Sequence, residues 1–243
     1  MGEKPPSDRP RGAISPRQPP ALPAALAKLP PGRHRLPPEF VQENQRSRIL
    51  AAALEVFGTR GFAATSVQDL VREAHVSRGT LYAHFSGKEA CFLGLLDEAV
   101  DYLWAQAASA AAEENEWAAR LCATSERIVA LLAEDRRLAR VCAVEVLAAG
   151  DQVRSRCESL IGEVGAAMRA GRAESSSGPQ PPESLEAVLF TGAVSVIGQR
   201  LVRDGGQDAG AVAAELSELL LIPYMGSAEA RALVRSRRGV RTS

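Results

Sequence analysis

The segment TSVQDLVREAHVSRGTLYAHFSGKE, residues 65–89, constrains the fold more than any other part of the chain. Helical spacing predicts a short first helix whose apolar face carries Val67, Leu70, Val71 and Ala74. After a break at His75-Val76, Ser77 caps a second short helix that turns Leu81 and Phe85 toward the first. Two short helices joined by a turn of this length form a helix-turn-helix, which places its second helix in the major groove of DNA.

The opposite face of the second helix carries hydrogen-bond donors and an aromatic ring that folding does not require. These residues are Arg78, Thr80, Tyr82 and His84. We expect Arg78 and Thr80 to reach base edges, since arginine suits a bidentate contact with guanine. We expect Tyr82 and His84 to contact phosphates, which set the register and carry no sequence information. Gly79 either lets the backbone approach the groove closely or only weakens the helix.

Hydroxyl groups stand before both helices of this segment. Thr65 or Ser66 is expected to cap the first helix, and its N-terminus should face a phosphate, although simple capping explains the same residues. Before the segment, the run 33–35 (Arg-His-Arg) is either a minor-groove arm or solvated. Arg46 and Arg48 either reach the DNA backbone or lie on a solvated face.

Charge is distributed unevenly along a chain whose net charge is zero. Residues 1–87 hold twelve Lys and Arg against seven Asp and Glu, which gives +5. Residues 88–226 hold twelve against twenty-one, or −9, and residues 227–243 hold five against one, or +4. A basic N-terminal region on an acidic body fits a nucleic-acid-binding end attached to a domain that does not bind nucleic acid.

Composition narrows the class of protein. With 46% hydrophobic residues the chain can bury a sizeable core, and we find no apolar run of the roughly 18 residues that a membrane span needs. The Pro- and Arg-rich N-terminus lacks the apolar core of a secretory signal, so we expect a cytoplasmic protein. The four cysteines lack metal-binding spacing and are expected to be buried free thiols; alternatively, a thiol sensor would use Cys122, Cys142 or Cys157.

The chain divides into four regions by composition. Residues 1–38 hold most of the prolines and are predicted to be a disordered arm. Residues 39–89 form the helix-turn-helix domain, whose first amphipathic helix ends at Arg60-Gly61. Residues 90–226 form a helical body, and 227–243 a frayed basic tail. Further helices are expected in this body. The first begins at Gly87-Lys88, and the others lie near 114–133, 135–148, 151–173, 183–203 and 208–222. The last of them should stop before Pro223. No strand-like alternation is found, and the fold is predicted to be all-α.

With these elements in place, residues 46–92, RSRILAAALEVFGTRGFAATSVQDLVREAHVSRGTLYAHFSGKEACF, resemble the TetR family of transcriptional regulators. The shared features are the aliphatic first helix with a Phe, the Gly-Phe step, the Thr-Ser-Val cap, the Val-Ser turn, the T-L-Y-x-x-F helix and the Lys-Glu pair. The resemblance implies a homodimer that binds double-stranded DNA. Its last two long helices would pair in a four-helix bundle, and an effector would splay the heads and relieve repression. In the family Lys88 clamps a phosphate; alternatively it pairs with Glu89.

Residues 90–226 offer no catalytic constellation, because the three histidines all precede this region and no phosphate loop or nucleophile motif is present. We therefore predict no enzyme activity, no metal and no cofactor, and expect instead a cavity for a small apolar effector. The candidate lining residues are Tyr102, Trp104, Trp117, Leu121, Met168 and Phe190, each of which could equally be ordinary core.

Two apolar helices near the end of the body are candidates for a dimer interface. The first carries Leu185, Leu189, Gly192 and Val196, and the second Val212, Leu216, Leu219 and Leu220. Such apolar faces can also be buried against other helices of the same chain. The prediction is thus a cytoplasmic, ligand-responsive repressor that binds a palindromic operator as a homodimer. The alternatives are a constitutive DNA-binding protein without an effector, and a helical enzyme or carrier.

Overall fold

A computed structural model describes residues 38–175 and 181–241, and within these ranges the regular structure is entirely helical. The head consists of α1 to α3 and the body of α4 to α10. The helices are α1 Pro38–Arg60, α2 Val67–Ala74, α3 Arg78–His84, α4 Lys88–Ala111, α5 Trp117–Glu134, α6 Arg136–Ala143, a 3-10 turn Glu145–Leu147, α7 Asp151–Ser175, α8 Glu183–Asp204, α9 Ala209–Met225 and α10 Ser227–Arg241. This confirms the all-α prediction.

Local sequence signals set the ends of the helices in the head. Gly61 follows α1 with a φ of +88°, a left-handed conformation that glycine adopts without strain. The Ser66 side chain accepts from the Asp69 amide while the Asp69 carboxylate accepts from the Ser66 amide, a capping box that fixes the start of α2. Ser77 caps α3 through the Thr80 amide, at 2.9 Å. Each helix of the head thus starts or stops where its sequence dictates.

A single apolar core joins the head to the body. Phe57 of α1, Leu70 of α2, Leu81 of α3 and Phe92 of α4 are all fully buried in it. The rings of Phe57 and Phe92 meet edge to face with centroids 5.2 Å apart. Because the base of α4 shares this core, movement of α4 relative to the head would have to repack it.

Two helix predictions at the C-terminal end are wrong. Helix α9 continues through Pro223 to Met225, since the burial of Tyr224 beyond the proline offsets the lost backbone hydrogen bond. Residues 227–241, expected to belong to a basic tail, form α10, whose Ala230 and Val234 lie in the same apolar cluster as Trp117. The predicted arm over residues 1–37, with its run at 33–35, and most of the linker at 176–180 lie outside the described residues.

Helix α8 corrects the expectation that no segment could span a membrane. By length and composition α8 could cross a membrane, since the mean hydropathy of its most apolar 18 residues is 1.4. In the structure, 28% of those residues are buried. Its Glu186 is buried and bonded to Arg169 and Tyr224, so one side of α8 belongs to the packed body. The opposite, apolar side of α8 remains exposed.

Candidate nucleic-acid interface and internal cavity

The outward face of α3 is an exposed polar surface of the helix-turn-helix. Arg78 and Tyr82 are both exposed, and the Arg78 guanidinium lies 5.8 Å from the centre of the Tyr82 ring. Leu81 and Phe85 point inward and are buried, as their four-residue spacing predicts. The pairing of a cation with an exposed ring holds both side chains on the same outward face.

Gly79 lies on this face with no packing reason to be glycine. Its φ is not in the left-handed region, and a Cβ built there would meet only the Ser77 hydroxyl, at 3.7 Å. Glycine inside a helix costs about 0.5 to 1 kcal/mol relative to alanine. No contact among residues 38–175 and 181–241 therefore requires a glycine at this position.

The hydroxyl groups at the two helix starts differ in accessibility. Ser77 is exposed and shares a 2.8 Å hydrogen bond with the Thr80 hydroxyl. Ser66 is exposed, and its hydrogen bonds hold the pKa of Asp69 below the ordinary value. The Thr65 side chain is 3% exposed and donates to the Gly61 carbonyl at 2.7 Å. Of the two candidate caps, Ser66 is therefore the one that caps α2, whereas the Thr65 hydroxyl holds the turn before this helix.

The predicted phosphate contacts His84 and Lys88 both have partners within the chain. The His84 ring lies 3.5 Å from the Gln45 side-chain oxygen. Lys88 donates to the Phe62 carbonyl at 2.9 Å, and its ammonium lies 4.2 Å from the Phe62 ring centre. An ammonium group has three donors, so this bond leaves Lys88 able to bind a phosphate as well.

Arg46 and Arg48, predicted to be either DNA contacts or solvated, bond within the chain instead. Arg48 donates to the Ala74 carbonyl at 2.7 Å and to the His75 carbonyl at 2.8 Å, which satisfies the C-terminal end of α2. Arg46 pairs with Glu98 of α4. Sequence reasoning missed both contacts because each partner lies more than 25 residues away along the chain.

The body contains a cavity of about 470 Å³, a size typical of small-molecule sites. Buried side chains such as Leu96, Val129 and Leu216 form part of its wall, and the exposed Trp104, Leu147 and Val194 also line it. The charged side chains in the lining are Asp151 and Arg154, which pair at 2.5 Å. A mostly apolar space with one ion pair suits an apolar molecule that carries one polar end.

Comparison with known proteins identifies the head. Residues 49–95 match the family described as bacterial regulatory proteins, tetR family. The chain is thus similar to this family over its helix-turn-helix head. Over 76 residues it is 37% identical to the HTH-type transcriptional activator FasR of Mycolicibacterium smegmatis, covering 31% of this chain and 35% of FasR. Over 74 residues it is 38% identical to EthR of the same organism, covering 30% and 33%. These matches span about a third of each relative.

The likeness in fold to solved proteins extends through the body. FadR from Bacillus subtilis, solved in complex with stearoyl-CoA, aligns with a TM-score of 0.61 over 72% of this chain and 97% of FadR. Sequence identity in that alignment is 20%, so the likeness concerns the fold. The helical prediction for residues 90–226 thus agrees with a solved tetR-like body.

Only two of the six predicted pocket residues line the cavity, namely Trp104 and Phe190. The prediction is wrong for the other four. Trp117 packs on Tyr224 with ring centroids 5.2 Å apart, and Tyr102 and Leu121 pack against apolar clusters without lining the cavity themselves. Met168 borders a smaller crevice instead. Large apolar residues in a helical bundle can pack against many neighbouring side chains. Helical periodicity therefore does not distinguish a residue of the core from one of a cavity wall.

The cysteines of the described chain are all free, and Cys142 and Cys157 line the cavity. Burial raises the pKa of the Cys142 thiol to about 12 and also raises the pKa of Cys157. Thiols held in the protonated form are poor nucleophiles. These two residues therefore suit the apolar wall better than the alternative role of a thiol sensor.

The predicted dimer residues fall into two groups. Leu185, Val196 and Leu219 are exposed at 43%, 63% and 38%, Gly192 is exposed and Leu189 is half-buried. Val212, Leu216 and Leu220 are buried in the protomer core, at 9% exposure or less. Assigning these three to an interface is wrong, because α9 is apolar on nearly all sides and its periodicity marks an inward face as strongly as an outward one.

Among the described residues, no group of three or more His, Cys, Asp or Glu side chains is placed to hold a metal ion.

Proposed function

We propose that the protein is a cytoplasmic transcriptional regulator that binds a palindromic operator in double-stranded DNA as a homodimer, with α3 of each head in the major groove. The observation that carries the proposal is the outward face of α3, where exposed Arg78 and Tyr82 flank a glycine that nothing in the protomer explains. The match of residues 49–95 to the tetR family supports the same assignment.

Base contacts fall to Arg78 and Thr80 in this proposal, and phosphate contacts to Tyr82, His84 and Lys88. Arg78 is the residue best suited to discriminate bases, since a bidentate arginine–guanine pair contributes about 1 to 3 kcal/mol of discrimination. Ser66 and Ser77 stand at helix N-termini, where free amides attract a phosphate.

The homodimer uses the exposed side of α8. Leu185, Val188 and Val196 present apolar side chains to solvent there, and Leu219 of α9 adds to them. A Cβ built on Gly192 meets nothing within 4 Å, so the protomer does not need a glycine at this position. A second helix packed closely against Gly192 would explain both the glycine and the apolar surface.

Because the body contains this cavity, we infer that a small molecule bound in it regulates DNA binding. Its lining favours an amphipathic molecule whose apolar part fills the cavity and whose polar end meets Arg154 or Asp151. FadR of Bacillus subtilis, which shares the fold, was solved with stearoyl-CoA, a molecule of this kind. We propose that the protein represses transcription and that the effector relieves this repression. Activation of transcription is the alternative, because the relative FasR is named as an activator.

A salt titration of the full-length chain against mixed duplex DNA tests the phosphate contacts. The logarithm of affinity should fall linearly with the logarithm of salt, with a slope of about −0.9 per phosphate neutralised. Lys88→Ala should make the slope less steep by about one phosphate, whereas Tyr82→Ala removes an uncharged contact and should lower the affinity without changing the slope. Tyr102 on α4 is half-buried and not involved, so Tyr102→Ala should change neither quantity. Binding that does not depend on salt would contradict the proposal.

A homologous series of straight-chain carboxylates tests the effector cavity. Each buried methylene contributes about 0.8 kcal/mol, so affinity should rise roughly fourfold per carbon until the cavity is full. Ile128→Trp, which fills the cavity, should abolish binding, whereas Ile222→Trp in the separate α9–α10 core should not. Absence of saturable binding across this and an alcohol series would favour the constitutive DNA-binding protein. Turnover of a probe would favour the enzyme or carrier.

A further inference from the structure

Two side chains of the body form hydrogen bonds with the backbone of Phe62, which lies in the turn between α1 and α2. The Phe62 amide donates to the Glu145 carboxylate at 2.7 Å, and Lys88 donates to the Phe62 carbonyl at 2.9 Å. The Phe62 ring packs against Phe57 and Phe92 in the core of the head. Glu145 and Lys88 therefore fix the point at which the chain enters the helix-turn-helix.

Glu145 is a buried carboxylate, 7% exposed, whose oxygens are both bonded. Besides the Phe62 amide, it accepts from Arg140 Nε at 2.8 Å. Arg140 in turn donates to the Thr59 carbonyl at 2.8 Å, at the end of α1. Charge-assisted hydrogen bonds are the strong ones, and a buried carboxylate that loses them is left uncompensated. This arrangement favours one position of the head relative to the body.

The same short segment forms part of the cavity wall. Val146 and Leu147, which follow Glu145 directly, line the cavity, and so does Ala143 at the end of α6. On the opposite side, a Cβ on Gly198 of α8 would lie 1.9 Å from the Ala143 Cβ. Ala143 therefore has no free space toward α8, while the 3-10 turn that follows it borders the cavity.

We propose that Glu145 is a positioning residue that couples the cavity to the DNA-binding head: displacement of the cavity wall at 143–147 breaks its bond to the Phe62 amide and frees the head to move. The inference rests on the proposed function, since it specifies how the cavity would regulate DNA binding. The two states that coupling requires are the head with the Glu145–Phe62 bond and the head without it.

The first test measures hydrogen–deuterium exchange of the Phe62 amide in the full-length protein. Glu145→Gln keeps the shape of the side chain and removes its charge, so exchange of this amide should quicken about tenfold. Glu186→Gln is the matched control, because Glu186 is equally buried, also pairs with an arginine and lies away from the head. Unchanged Phe62 exchange in Glu145→Gln, or an equal change in Glu186→Gln, would overturn the proposal.

The second test displaces the wall without any ligand. Gly198→Ala pushes on Ala143, and Val146→Ala loosens the wall by removing methyl groups. Each should quicken Phe62 exchange in the natural background and change it less than about twofold in the Glu145→Gln background. The pair Gly198→Ala with Ala143→Gly keeps the added methyl and relieves the contact, so it should restore slow exchange. Equal effects in both backgrounds would show that Glu145 does not carry the coupling.

DNA binding supplies an independent readout. Glu145→Gln and Val146→Ala should change affinity for a bound duplex without changing its preferred sequence. If the chain binds no DNA but Phe62 exchange responds as described, the proposed function fails while the mechanical link stands. If the chain binds DNA and Phe62 exchange does not respond, the link fails alone.

Discussion

Gly79→Ala separates a role in DNA binding from a role in folding. The built Cβ meets only the Ser77 hydroxyl at 3.7 Å, and the backbone φ suits alanine. The substitution should therefore raise the free energy of unfolding by about 0.5 to 1 kcal/mol, through a less flexible unfolded chain and a better helix former. Because α3 is short and the residue lies in its first turn, the lower end of that range is expected.

The same methyl group should weaken DNA binding. If the groove packs against the Gly79 backbone, the added methyl overpacks the interface, which costs about 1 to 3 kcal/mol in a close-packed setting. Affinity for the operator should then fall roughly 5-fold to 150-fold. The assays are urea denaturation for stability and fluorescence anisotropy with a labelled duplex for affinity.

Gly162→Ala on α7 is the matched control, because Gly162 likewise lies in a helix and a Cβ there meets nothing within 4 Å. It should raise stability by a similar amount and leave DNA affinity unchanged. If Gly79→Ala raises stability and leaves DNA affinity at its original value, close approach of DNA at this glycine is refuted. A drop in stability would refute the reading of the local geometry as well.

Three further predictions concern the base contact, the dimer and the capping box. Arg78→Ala should relax preference at one operator position, seen in competition with single-base variants, whereas uniform weakening would make Arg78 a backbone contact. Val196→Asp should convert the dimer to monomers in sedimentation and abolish operator binding; a persistent dimer would exclude this face of α8. Ser66→Ala should destabilise the protein by about 1 kcal/mol. Because hydrogen bonds lower the pKa of Asp69, its stabilising effect is present at neutral pH and is lost as pH falls below about 4. Denaturation at several pH values should show this loss in the natural protein and a smaller loss in Ser66→Ala, because the backbone amide of residue 66 and the charges of Arg60 and Arg72 still act on Asp69.

Short-range features of the head could be predicted because their causes are local. The caps at Ser66 and Ser77 depend on residues three positions away, and Leu81 and Phe85 face inward because their spacing matches one helical turn. Gly61 was expected to end α1 for the same kind of reason. Local chemistry and helical periodicity suffice where both partners lie within one turn.

Features of the body depend on partners far along the chain. Glu145 bonds to Phe62 across 83 residues, and no pattern in the sequence joins the two. The inward orientation of Leu216 follows from packing against α8, which helical periodicity does not specify. Helix α9 passes through Pro223 because tertiary burial of Tyr224 overrides the local preference to stop.

Selection of bound duplexes from a random pool, with the full-length protein at moderate salt, tests the central claim most directly. A dimer that presents one α3 from each head should recover a palindrome whose half-sites are centred about 34–36 Å apart or further, on one face of the duplex. Recovery of no sequence above background would contradict sequence-specific DNA binding by this protein.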